Sequence, residues 1–142
     1  MSNPTTIYYV ERALSFIAAA ILLQTLYFKF TAAPVSVHIF TVMGMEPWGR
    51  IGTGIIELIS GILLIRPKTS LFGAILAIGI ISGAIMSHLF ILGIVVENDG
   101  GKLFMLAIFV AVCCIGIIAL KRKKLLELIT KYFPTLSSNK SL

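Results

Sequence analysis

Apolar residues run along this chain in four long blocks, at about residues 8–30, 48–65, 70–96 and 103–120. Each approaches or exceeds the roughly 20 residues that a helix needs to cross about 30 Å of hydrocarbon. Between the first two blocks lies TAAPVSVHIFTVMGMEPWGR, too apolar for an ordinary loop and too short to span. Pro34 can start a helix there and Gly44 can end it, leaving about three turns. The other links are short. PKTS offers Thr69 or Ser70 as a helix N-cap, and VENDGGK carries an Asp-Gly-Gly turn. The pattern predicts an all-α protein, a membrane-embedded up-down-up-down four-helix bundle with a short re-entrant or interfacial helix between spans one and two. A single transmembrane domain is expected over residues 1–134, including a basic amphipathic segment at 121–133, with 135–142 as a flexible tail.

Composition removes the soluble alternative, because 58% of the 142 residues are hydrophobic and only 13% charged. A net charge of +6 would suggest nucleic acid in a soluble protein, but here the charges follow membrane topology. Arg66 and Lys68 lie between spans two and three, and Lys121, Arg122, Lys123 and Lys124 follow span four. The other two links hold His38, Glu46, Glu97 and Asp99, with Lys29, Arg50 and Lys102 at their edges. The positive-inside rule then places both termini in the cytoplasm, as in a multi-pass protein of the inner (plasma) membrane. The first block has no basic n-region and reads as a retained helix rather than a signal peptide. In the segment after span four, Leu125, Leu128, Ile129 and Tyr132 share one helical face, which suits an anionic leaflet. Cys113 and Cys114 are adjacent in span four, so they point about 100° apart and read as small packing residues rather than a redox pair.

Candidate chemistry begins with Glu57, a carboxylate with apolar residues on both sides in GTGIIELISGILLI. A charged side chain at the centre of a bilayer costs roughly 3 kcal/mol, so it is normally paired, neutral or turned inward. Helical spacing puts Arg50, Thr53 or Gly54, Glu57, and Ser60 or Gly61 on one stripe, and small and polar residues face a bundle interior. Span three gives Ala77, Ile81, Ala84 and His88 on a similar stripe, flanked by Ser87 and by the spacing Gly79 to Gly83. At about 1.5 Å per residue, Glu57 and His88 both lie about 12 to 13 Å below the outer surface, close enough to hydrogen-bond directly or through one water. Gln24, Lys29 and Arg50 fall in the same outer half, and His38 lies either in water or over the bundle. The candidates for ligand binding or proton transfer are thus Glu57, His88, Lys29, Gln24, Arg50 and His38. No catalytic residue is legible. Two histidines on separate elements and one carboxylate lack the spacings of zinc sites, so no metal is expected.

Phe28-Lys29-Phe30, the run from Gly52 to Leu64 with Glu57 followed by Gly61, and the stretch from Ala84 to Leu89 with His88 together resemble the DoxX-like family of small four-helix membrane proteins. The resemblance covers about Arg12 to Leu120, and by position Lys29, Glu57 and His88 match polar positions of that family. Family members often place a glycine shortly before the lysine, where this chain has Gln24 and Thr25. The family is named from a subunit associated with quinol oxidation and thiosulfate-to-quinone electron transfer, and its distant relatives include a receptor chaperone. Two functional readings stand. In one, an outer-half polar pocket binds an apolar, oxygen-bearing ligand such as a quinone as part of a membrane redox system. In the other, the chain is a non-enzymatic accessory subunit or assembly chaperone. The expected partners are the bilayer, a partner membrane subunit or a second copy of the chain, and no nucleic acid.

Overall fold

The computed structural model of the chain describes residues 3–134, so the expected tail at 135–142 lies outside the described residues. Among these, all regular structure is helical: α1 (Pro4–Phe30), α2 (Pro34–Val42), α3 (Trp48–Ile65), α4 (Ser70–Ser87), α5 (Lys102–Leu120) and α6 (Arg122–Tyr132), with one π-helical turn, His88–Leu92, continuing α4. Four helical stretches, Pro4–Phe30, Trp48–Ile65, Ser70–Leu92 and Lys102–Leu120, are long and apolar enough to cross a membrane, which fits a multi-pass membrane protein. Those four close a ring in which α1 packs on α3 and α5, and α4 packs on the same two helices. Its centre is filled by Ala18, Leu22, Leu64, Ala74, Ala77, Val110, Cys114 and Ile117. Small residues dominate because each side chain omitted lets two backbones approach, and dense packing is what holds helices together where lipid is as apolar as leucine. Both cysteines are part of that packing. Outward, Phe16, Ile55, Ile59, Ile62, Ile75, Phe109, Val112 and Ile115 are exposed. An apolar belt of this kind is unsuited to water and ordinary against acyl chains.

The short helix has the ends its sequence implies. Pro34 occupies the first turn of α2, where its missing N–H is no loss, and Gly44 follows the last turn at φ +69°, a conformation that a Cβ would strain. α2 rests on α1, α3 and the π-helical turn. We refer to this end of the bundle as the α2 end and to the opposite one as the α6 end.

Local details refine this picture. Span three stops at Leu92 rather than reaching Val96, because Gly93 turns the chain at φ +81°. Residues 93–101 then form a loop organised by Asp99, whose carboxylate accepts the N–H groups of Val96 at 3.0 Å, Gly101 at 2.8 Å and Leu103 at 2.9 Å. Thr69 is the N-cap residue of α4, but its side chain makes no cap bond. Its hydroxyl bonds back to Leu63 O at 2.9 Å, satisfying a carbonyl that the end of α3 leaves open, while Ser70 is drawn into a separate cluster. The Gly79 to Gly83 spacing marks no close approach, since both glycines are exposed and a Cβ on either would meet nothing.

Burial alone would raise the Asp99 carboxyl, but the N–H donors of Leu103, Val96 and Gly101, with His88 nearby, hold it below its ordinary value of 3.8. A lowered folded pKa means that the stabilisation is present above the unfolded value and is lost as pH falls through the folded one. Asp99→Ala is expected to cost about 1 kcal/mol at neutral pH, the usual worth of a helix cap. The gap between variant and parent should close only below the ordinary carboxylate range. Chemical unfolding of both proteins across a pH series measures it, and a gap that already vanishes at pH 6 would rule out the carboxylate as its source.

Candidate functional site

The stripe predicted on α3 is the face it buries: Arg50, Gly54, Glu57, Ser60, Gly61 and Leu64. Glu57 is 5% exposed. Opposite it stands the last part of α1, brought close because Gly54 has no side chain: a Cβ there would lie 3.1 Å from the Phe30 ring and 3.7 Å from Lys29 Cβ. Lys29 thereby reaches the carboxylate, with Nζ 2.5 Å from both oxygens. One turn earlier, Thr25 shares its single hydroxyl proton between Leu22 O at 2.7 Å and Glu57 Oε2 at 3.0 Å. Lys29 turns inward, with only 16% of its side chain exposed, instead of reaching out to the surface.

Arg50 extends the network. Nη1 donates to Lys29 O, one of the carbonyls left open where α1 ends, while Nε and Nη2 hold Glu46 at 2.7 to 3.0 Å. Glu57, Lys29, Arg50 and Glu46 carry two charges of each sign, so the group is electroneutral as a whole. Neutrality and saturation are what make four charges tolerable where water is scarce.

The other predicted residues go elsewhere. His88 is buried, as its stripe implied, yet it is not bonded to Glu57: Nδ1 donates to Gly93 O at 2.8 Å, and the ring meets Phe104 edge-on with centroids 5.7 Å apart. The π-helical turn ends at Gly93, whose positive φ turns the chain there and whose carbonyl takes the imidazole proton. Gln24 is exposed. A step of about 100° separates it from Thr25, which holds the inward position instead. His38 also faces out, 3.5 Å from Glu97, with about half of each side chain exposed. Of the six candidates, then, the structure brings Glu57, Lys29 and Arg50 together and leaves His88, Gln24 and His38 apart.

A second polar cluster, at the α6 end, carries none of the predicted residues. Glu11 and Ser70 are buried, and Ser70 Oγ donates to Glu11 Oε1 at 2.6 Å, as does Ser15 Oγ at 3.0 Å. Lys121 closes over them, 3.2 Å from the same oxygen, 2.5 Å from Ser70 Oγ and 2.7 Å from Pro67 O. Arg12 caps α3 by donating Nη2 to Leu64 O at 2.8 Å and Ile65 O at 3.2 Å. The signal was present in the sequence. Glu11 and Arg12 inside an apolar helix pose the same question as Glu57.

Two cavities lie away from Glu57. One of about 250 Å³ opens at the α6 end beside Glu11 and Lys121, and one of about 560 Å³ is an apolar groove between α3 and α4 lined by Ile56, Leu63, Phe72 and Leu76. Among the described residues, no three His, Cys, Asp or Glu side chains gather as a metal site. No family model, curated protein or solved structure matches this chain.

Proposed function

We propose that the chain is a DoxX-like membrane protein that acts as a non-enzymatic accessory subunit or assembly factor. In this reading its spans run up, down, up and down, with both termini and the link at residues 66–69 in the cytoplasm and α2 lying as an interfacial lid on the outer face. One observation carries the choice. Each charged group around Glu57 already has its partners within the chain: the carboxylate in Lys29 and Thr25, the Arg50 guanidinium in Glu46 and Lys29 O. A ligand bound there would have to displace Lys29 from Glu57, and the hydrogen bonds it made would replace existing ones rather than add to them. The same network suits a scaffold, since it ties α1, α3 and the link after α2 in one register. The quinone-pocket reading places the ligand's oxygen on Glu57 and His88, and those two residues are bonded separately.

Gentle extraction followed by native mass spectrometry separates the two roles. A stoichiometric protein partner with no quinone is expected; a retained quinone that is lost on Glu57→Gln would overturn the accessory reading. Orientation is tested in a Cys113→Ala/Cys114→Ala background. A cysteine at Lys102 should react with an impermeant maleimide on intact cells, and one at Lys68 only after permeabilisation. The reverse pattern would invert the topology.

A further inference from the structure

The cavity at the α6 end has a composition that the scaffold role leaves unexplained. Pro4, Ile7, Tyr8 and Glu11 line it from one face of α1, Pro67 from the link between α3 and α4, and Leu120 and Lys121 from the junction of α5 and α6. Glu11, only 2% exposed, is the buried charge of that wall. Its Oε1 is saturated by Ser15, Ser70 and Lys121. Among the described residues Oε2 accepts no hydrogen bond, and 3.7 Å from it lies Arg12 Nη1, a buried nitrogen with no hydrogen-bond partner among those residues. A carboxylate oxygen with no donor among the described residues can take one from a ligand that enters the cavity.

The surroundings narrow the donor. Lys121 and Arg12 already stand within 4 Å of this carboxylate, and Arg66, Lys68, Arg122, Lys123 and Lys124 crowd the same end of the bundle in sequence and fold. A further cation is disfavoured in that field, whereas a neutral hydroxyl donates without adding charge. The surplus of positive charge favours a phosphate. The walls formed by Pro4, Ile7 and Leu120 are apolar, and α1 and α5 expose further apolar side chains such as Phe16, Val112 and Ile115, along which an acyl chain would run.

We infer that this cavity is a seat for an anionic phospholipid whose headgroup ends in a hydroxyl, with the hydroxyl on Glu11 and the phosphate among the basic residues around α6. The seat rests on the membrane placement proposed above and not on the accessory role, so it stands or falls without reference to a protein partner.

The full chain in nanodiscs, titrated with phosphatidylglycerol, phosphatidic acid and phosphatidylcholine of matched acyl chains, tests it by native mass spectrometry. Phosphatidylglycerol should be retained at least tenfold better than either of the others. Ile7→Trp, which fills the cavity without touching a charge, should abolish that preference, as should Glu11→Gln. Glu57→Gln, at the far end, should keep it. Equal retention of phosphatidic acid would mean that charge alone collects lipid on α6 and would overturn the seat. So would a phosphatidylglycerol preference that survives Ile7→Trp, or the lack of any preference in the parent protein.

Discussion

Replacing Lys29 with methionine should destabilise the bundle by about 3 to 5 kcal/mol, the usual loss when one partner of a buried ion pair is removed. Glu57 is left with the shared proton of Thr25 and has too short a side chain to reach water from an interior position. Glu57→Leu should cost less, about 1 to 3 kcal/mol, because the lysine left behind is long and already 16% exposed at its side chain, and it can turn outward to the headgroups. The double variant Lys29→Met/Glu57→Leu should recover most of the larger loss, since an apolar pair of similar volume avoids desolvating two charges. Reversible unfolding in mixed micelles of parent, singles and double gives the coupling. Additive losses would show that the 2.5 Å contact carries no energy. His88→Ala combined with Glu57→Leu should be additive, because no hydrogen bond joins the two residues.

The inward face of α3 was legible because helical spacing fixes which residues share a stripe, and the residues on that stripe are the buried ones. The partner of Glu57 was not legible, because depth along a span says nothing of rotation between spans. Lys29, Gln24 and His88 were all at compatible depths, and only the approach of α1 over Gly54 selects among them. Applying the four-residue step backwards from Lys29 would have found Thr25, which faces the carboxylate where Gln24 does not. His88 was lost to a local event that spacing does not encode, a π-helical turn ending in a left-handed glycine whose carbonyl takes the imidazole proton. At the α6 end, Glu11 and Arg12 sat too close to the start of the first block to look intramembrane. Burial of both shows that the bundle's polar interior begins there. The two clusters share a design. Each sets a glutamate against a lysine that reaches it from another helix or helix junction, and in each an arginine occupies carbonyls at a helix end.

The close approach of α3 and α4 lies at Gly73, a glycine that the stripe on span three does not include, and it yields the second large effect. A Cβ on Gly73 would lie 2.7 Å from Leu64 N and 3.0 Å from Leu63 C, both backbone atoms that no rotamer change can move. Gly73→Ala must therefore push the start of α4 away from the end of α3, where Thr69, Ser70 and Arg12 already hold the link in place. Overpacking of this kind costs about 1 to 3 kcal/mol, and here the strain falls on rigid backbone, so the upper part of that range is expected. Gly79→Ala and Gly83→Ala should do the opposite. Each meets open space, and alanine restricts the unfolded chain relative to glycine, so each should stabilise α4 by about 0.5 to 1 kcal/mol. Mixed-micelle unfolding of the three single variants compares them directly. If Gly79→Ala proved as damaging as Gly73→Ala while the protein remained monomeric, the assignment of the α3–α4 contact to Gly73 would be wrong. If that damage appeared only together with loss of a dimer, the exposed glycines would instead be covered by a second copy of the chain.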